Sequence, residues 1–373
     1  MIKRKIFDSV NEWLIRNKII LILGPRQSGK TTLLNMIQDQ FQGQSQYFNC
    51  DEQEPRTLLS SQNSAQLRSV IGQNKLILID EAQRIENAGL NLKIIHDTMP
   101  DIRIVATGSS AFELADKLNE PLTGRKIEYN LLPFAFEELV ADGSMINELQ
   151  QRPNRLLYGS YPEVVLNSHL AVPTLQNLCG SYLFKDVFSI HDIRKPELLD
   201  KLVQALALQL ASEVSFHELA QLLDSDSTTI ERYITILERA FIVFRLPNYS
   251  RNQRNEIKRS RKIYFVDNGI RNAILADFRP LELRDDIGKL WENYIVSEFH
   301  KLKLNRVLYH HSYFWRNRNG AEIDYLELAN DQLSAYEIKW NPKKQGSFRA
   351  FLNLYPEALT ETVTPENYFL HLN

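Results

Sequence analysis

Short runs of apolar, β-branched residues recur through the first third of the chain, at 19–23, 46–50, 76–79 and 102–106, each bounded by turn residues. Between them lie stretches with apolar positions at helical spacing, such as 31–41 and 90–99. This βαβα order predicts a parallel sheet with helices on both faces. A last strand, about 126–131, runs up to Pro133. From there to about Ser212 the pattern is helical and irregular, with Leu202, Leu206, Leu208 and Leu210 in a strongly apolar helix. A short helix follows, opened by Ser215 with Glu218 three places on, the signature of a capping box. After the polar turn Asp224-Ser225-Asp226, residues 227–240 carry Ile230, Ile234 and Leu237 at helical spacing. Strands at 241–246 and 262–266 complete the order of a winged helix-turn-helix. Beyond about Arg284 a helix (289–302) and strands near 307–310, 322–328 and 334–339 predict a third α/β unit.

Composition narrows this picture. The chain has 373 residues and a net charge of −2, which excludes a uniformly basic nucleic-acid coat and an acidic tail protein. Its 43% hydrophobic and 24% charged content is that of an ordinary globular protein. The near-zero total conceals a division: residues 245–262 hold seven basic side chains against one acid, where the wing of the winged helix would fall. Cys50 and Cys179 form no CxxC and read as two packed thiols in a reducing compartment, and the eight His residues form no zinc-type cluster. No apolar run approaches the ~18 residues of a membrane span. A cytoplasmic protein without a membrane partner is the expectation.

Candidate chemistry begins where the first strand ends. Gly24-Pro25-Arg26-Gln27-Ser28-Gly29-Lys30-Thr31 fits G-x-x-x-x-G-K-[ST] at every defined position, a match that a random chain of this length makes about once in 100. Glycines let the backbone wrap phosphates and aim amide N–H groups at them from a helix N-terminus. Lys30 would reach the β- and γ-phosphates of ATP and Thr31 would coordinate Mg²⁺, with Thr32 completing the binding set. The apolar strand Leu76-Ile77-Leu78-Ile79 ends in Asp80-Glu81, the Walker B form. Asp80 would hold Mg²⁺ through water and Glu81 would polarise the attacking water. Thr107, Ser109 and Ser110 close the next strand, either orienting that water or capping a helix. Arg125, just before the last strand, would offset γ-phosphate charge in a neighbouring subunit or in cis.

Residues 24–31, 78–83 (Leu-Ile-Asp-Glu-Ala-Gln), 107–110 and 122–125 (Leu-Thr-Gly-Arg) together resemble a family of prokaryotic AAA-type ATPases. That family carries a C-terminal domain of uncharacterised role with a PD-(D/E)XK nuclease-like core. Residues 157–163 resemble its Gly-Gly-Tyr-Pro segment, with Ser160 replacing one glycine, and 290–293, 314–316 and 337–339 resemble its C-terminal motifs. The resemblance spans nearly the whole chain. It implies a sensor role for 107–110, an arginine-finger position for Arg125 and hence a ring or dimer of this chain. It also implies a nuclease-like set in which Asp324 and Glu337 bind Mg²⁺, Lys339 holds water or phosphate, and Glu292 adds to the metal shell. A loose Asp-x₁₃-Glu-x-Lys spacing also suits ordinary salt bridges in a retained fold. Trp315 would either stack on nucleic acid or anchor a strand.

The expected architecture is therefore an α/β chain: an AAA-type P-loop core (1–135), a helical lid or connector (136–211), a winged helix-turn-helix with a basic wing (212–283) and a nuclease-like domain (284–373). Thr228, Thr229, Arg232 and Tyr233 are the expected exposed positions of the recognition helix. Arg251, Arg254, Lys258, Arg259 and Arg261 would contact phosphates. The leading expectation is an oligomeric ATPase that binds DNA, branched DNA included, and couples hydrolysis to remodelling or translocation. The alternatives are a regulatory switch ATPase, in defence or toxin control, whose C-terminal half docks a protein, and an ATP-controlled Mg²⁺-dependent nuclease.

Overall fold

The computed structural model describes residues 2–41, 43–109, 121–183, 193, 195–250 and 261–373, with 181–183 described by their backbone alone. Contacts divide the chain into two compact units, Met1–Pro133 and Phe134–Asn373.

In the first unit, strands β1 (Ile19–Leu23), β2 (Ser45–Asn49), β3 (Leu76–Asp80), β4 (Arg103–Gly108) and β5 (Lys126–Asn130) form one sheet in the order β2-β3-β4-β1-β5. Every pairing is parallel. Residues of β1 and β3 are buried throughout, as a central parallel strand covered on both faces requires. The helix Phe7–Ile15 lays Phe7, Val10 and Leu14 into the same core as Ile20, Ile22, Leu33 and Leu34. The chain leaves β1 for β2 at the far edge, returns through β3 to β4 beside β1, and then passes to β5 on the other side of β1. The strand order therefore reverses at β1, the place where an open α/β sheet offers a crevice at the carboxyl ends of its strands.

The second unit opens with short helices between Phe136 and Asn177 and the longer Pro196–Leu208 helix. A small sheet follows, with β6 (Glu213–Val214), β7 (Val243–Pro247) and β8 (Arg261–Phe265) in the order β6-β8-β7, all antiparallel. Between β6 and β7 lie the helices Phe216–Leu222 and Ser227–Arg239. Ser215 caps the first by accepting from the Glu218 amide, and Asp226 caps the second by accepting from Thr229. Next comes the 19-residue helix Ile287–Asn305, then β9 (His311–Arg316), β10 (Glu322–Ala329), β11 (Gln332–Ile338) and β12 (Leu359–Val363). They form a four-stranded sheet, β12-β11-β10-β9, in which only β11–β12 is parallel.

The strand expected at 307–310 is absent. Those residues leave the helix instead, with Val307 in the left-handed region at φ 51 and the Leu308 amide donating to Lys303 O. That pair of features ends a helix in the manner of a Schellman turn, and the strand starts at His311.

Candidate functional site: a phosphate loop and a carboxylate cluster

The loop after β1 is shaped by close approach. A Cβ on Gly24 would come within 2.2 Å of Leu131 O, so only glycine fits, and Gly29 stands at φ +95, where glycine carries no steric penalty. Arg4, only 4% exposed, donates to Ser28 O at 2.6 Å and to Leu132 O at 2.7 Å, tying the loop to the chain beyond β5. Nothing in its sequence context marks Arg4 as a site residue. Lys30 opens the helix Lys30–Gln38 and turns its ammonium onto the carbonyls of Gly24 and Pro25, both at 2.9 Å. The Ser28 hydroxyl is buried with no hydrogen-bond partner among the described residues. A loop of amide donors, a lysine and an orphaned buried hydroxyl is the donor set that a nucleotide's phosphates require.

Asp80 ends β3 beside this loop. One of its carboxylate oxygens accepts from Thr31 Oγ1 at 2.7 Å and from the Tyr47 hydroxyl at 2.8 Å, and the other accepts from Thr107 Oγ1. The backbone amide of Glu81 donates to the same Thr107 hydroxyl at 3.2 Å. Glu81 adopts φ 55, which turns the chain sharply at the strand end, and its carboxylate accepts from the Gln83 amide, which also donates to Ser109 Oγ at 3.2 Å. Gln83 joins Glu81 to Ser109, a role that no local sequence pattern marks. Burial and Asp80 raise the Tyr47 hydroxyl far above its ordinary value, and burial with Asp80 pushes the Cys50 thiol up to about 12, so both stay neutral. Among hydroxyls and neutral groups, Thr31 and Asp80 suit a hard divalent cation. Ser110 lies outside the described residues.

Arg125 is elsewhere. Ile19 of β1 pairs with Lys126 of β5, so Arg125 lies at the amino edge of the sheet and the phosphate loop at its carboxyl edge. Five residues at ~3.3 Å each separate them by about 16 Å. The guanidinium instead grips Asp97 at 2.8 and 3.1 Å, and holds that carboxyl down to about 2. A role for Arg125 in cis is therefore corrected: the side chain cannot reach its own subunit's loop.

In the second unit Glu292, Glu322, Asp324 and Glu337 come together. Glu322 and Asp324 share one face of β10, and the pairing Tyr325↔Tyr336 brings Asp324 next to Glu337. Glu292 approaches from the helix Ile287–Asn305. Lys339 reaches Asp324 at 3.1 Å and also pairs with Glu337. A second cation, Lys262, comes from β8. Its ammonium stands 2.8 Å from Glu292, 2.5 Å from Glu322 and 3.9 Å from Asp324. Burial opposes its charge, but Glu292, then Asp324 and Glu322, more than offset that and hold it well above the usual lysine range. Burial pushes the carboxyls of Glu292 and Glu337 up to about 7, against the pull of Lys262 and Lys339 respectively. Trp315 is buried against Phe351, with ring centroids 5.2 Å apart, and anchors its strand.

On the helix Ser227–Arg239, Thr228 and Arg232 are exposed and Thr229 is half-buried. Tyr233 is a correction: it falls on the apolar stripe with Ile230, Ile234 and Leu237, is 1% exposed, and accepts from the Lys195 amide. Arg261 pairs with Glu231 at 3.1 Å, and Arg245 with Glu238 at 2.9 Å. Both arginines, with Lys303 and His311, line a cavity of about 470 Å³. Arg251, Arg254, Lys258 and Arg259 lie outside the described residues.

Residues 16–140 match the AAA domain family. Residues 149–281 and 287–369 match two domains of unknown function, DUF8612 and DUF4143. An uncharacterised protein of Mycobacterium tuberculosis is 27% identical over 87% of this chain and 71% of its own length. One of Haemophilus influenzae is 25% identical over 83% of this chain and 85% of its own. Among solved structures, the RuvB Holliday junction branch migration motor of Thermotoga maritima overlaps 64% of this chain and 89% of its own, at 18% identity and a TM-score of 0.32. No helix among the described residues is long and apolar enough to cross a membrane. Residues 16–140 thus carry an AAA domain of the P-loop class, and the phosphate loop, Asp80 and Glu81 all fall within it.

Proposed function

We propose that this chain is an oligomeric ATPase that binds DNA through its second unit and couples hydrolysis to remodelling of, or movement along, that DNA. One observation carries the ATPase reading: Thr31, Asp80, Thr107 and Glu81 form a single hydrogen-bonded group beside the phosphate loop. The amides and Ser28 hydroxyl of the loop would bind phosphate oxygens, and the Lys30 ammonium would exchange its two loop carbonyls for them. The Thr31 hydroxyl and Asp80 would hold Mg²⁺, which when bound supplies positive charge to those oxygens. Glu81 would take the proton of the attacking water, while Thr107 fixes its backbone and Gln83 its carboxylate. Ser109 orients Gln83. Arg125 would serve a neighbouring copy, leaving Asp97 to do so.

The DNA reading rests on the basic side chains at 251, 254, 258, 259 and 261 and on exposed Arg232. Arg232, Arg251, Arg254, Lys258, Arg259 and Arg261 would neutralise phosphates, each adding about 0.9 to the slope of log affinity against log salt. The test is the ATPase rate with single-stranded, duplex and branched DNA. Several-fold stimulation that fades with salt is expected, and a rate indifferent to all three removes the motor reading. A regulatory switch whose second unit docks a protein is favoured by one observation: Arg245 and Arg261 already pair with Glu238 and Glu231 of the same chain.

A further inference from the structure

The pattern Asp324, Glu337, Lys339 with Glu292 asks for a divalent cation, and the arrangement of these residues does not accommodate one. A magnesium ion needs near-octahedral oxygens at about 2.0–2.1 Å and calcium needs six or more at about 2.3–2.6 Å. An ion shared by Glu292, Glu322 and Asp324 would have to lie among their facing oxygens. The Lys262 ammonium already occupies that space, within 4 Å of all three. Asp324's other oxygen is also engaged, accepting from the Ile338 amide at 2.7 Å and from Lys339 at 3.1 Å. Among the described residues, no group of three or more His, Cys, Asp or Glu side chains is arranged to hold a metal ion.

Lys262 cannot readily vacate the position. Its side chain is 1% exposed, and its strand is the middle one of the β6-β8-β7 sheet, bonded on both edges. The ammonium lies 5.6 Å from the centre of the Phe314 ring, and Tyr264, two residues on, donates to the same Glu292 oxygen that Lys262 holds. A buried ammonium with three carboxylate partners is held, because exposing it or leaving those carboxylates unpaired is costly.

We propose that Lys262 is the resident cation of this carboxylate cluster, standing where a divalent ion would have to stand, so that the cluster is an ion-pair joint between the three-stranded and four-stranded sheets and not a catalytic metal centre. The proposal is independent of the nucleotide site. It removes Mg²⁺-dependent cleavage by this cluster and leaves the second unit a docking role.

The test is Mn²⁺ binding to the nucleotide-free full chain, followed by electron paramagnetic resonance, in the wild type, Asp324→Asn, Lys262→Met and the double variant. The wild type and Asp324→Asn should bind Mn²⁺ alike. Lys262→Met removes the charge but keeps the stem, and should bind Mn²⁺ at least tenfold more tightly than the wild type, a gain lost in the double variant. A folded Lys262→Met chain with no gain overturns the proposal. So does wild-type binding that weakens tenfold on Asp324→Asn. If Lys262→Met fails to fold, the wild type against Asp324→Asn decides alone: equal binding upholds the proposal and a tenfold difference sinks it.

Discussion

Asp80 and Asp324 make an instructive pair. Each is a buried carboxylate on a strand, in a pattern that suggests a divalent cation. Asp80 is surrounded by three hydroxyls, from Thr31, Tyr47 and Thr107, while Lys30 turns to backbone carbonyls. Asp324 faces two ammonium groups. A cation arriving at Asp80 displaces or recruits neutral groups, and the Thr31 hydroxyl is itself a suitable ligand. A cation arriving at Asp324 must expel a charge of its own sign. The same residue types serve opposite ends, and what separates them is whether the nearest partner is neutral or charged.

The largest effect should come from the neutral side of this pair. Lys30→Ala removes the loop ammonium that the proposed function assigns to the phosphates. Nucleotide binding should fall by on the order of 100-fold or more in a calorimetric titration, from two lost charge-assisted contacts at ~1.5–3 kcal/mol each. Retained binding would remove the phosphate-loop assignment. Next, Glu81→Gln should leave ATP binding intact and slow hydrolysis by ~10²–10⁴-fold, the usual contribution of a general base. Persistent turnover would move that role to another group.

Arg125→Ala alone should be slow, yet mixing it with Lys30→Ala subunits should restore a measurable fraction of the rate, because each variant supplies what the other lacks. No restoration would leave Arg125 as the partner of Asp97 only. A smaller effect is expected at Arg4. Arg4→Met should weaken ATP binding by about tenfold through loss of the contacts to Ser28 and Leu132, with the thermal midpoint also lowered. Unchanged affinity would mean the loop holds its shape unaided.

The smallest effect concerns pH. Burial, then Asp324, lifts Glu337 from the ordinary 4.5 to about 7, so the folded chain favours its neutral form. Its contribution to stability is full below about 4.5 and is lost as pH rises through about 7. Glu337→Gln should flatten the decline in stability between those values, read by urea unfolding through the fluorescence of Trp291, Trp315 and Trp340. Glu292 titrates in the same direction and should leave a residual slope. An unchanged slope would mean that Glu337 is ionised throughout.

Much of the first unit was legible in the chain. Apolar strands of five residues with glycine or acid at their ends locate both the sheet and the loop, since a buried parallel strand and a phosphate loop each impose local composition. The helices Phe7–Ile15, Gln53–Leu59 and Ser64–Ile71 and the strand Leu359–Val363 were missed, being short or half-polar, with periodicity too weak to stand out. Tyr233 differs for another reason: a large amphipathic side chain at a helix position can face either way, and only its burial on the same stripe as Ile230, Ile234 and Leu237 decides.

By itself the sequence determined the P-loop order, which residues make up the phosphate loop and the acidic strand end, and the segment where positive charge concentrates. Each depends on residues near one another along the chain, or on a spacing that local geometry enforces. Only the tertiary structure decided three further matters. Arg4 clamps a loop 24 residues away, Arg125 lies at the wrong edge of the sheet for its own subunit, and Lys262 stands among carboxylates 30 to 62 positions further on. These are contacts between distant segments, and a lysine in a strand carries no local mark of the charge it will meet. Burial fixes that charge in place, because an ammonium removed from water stays only where carboxylates replace the solvent.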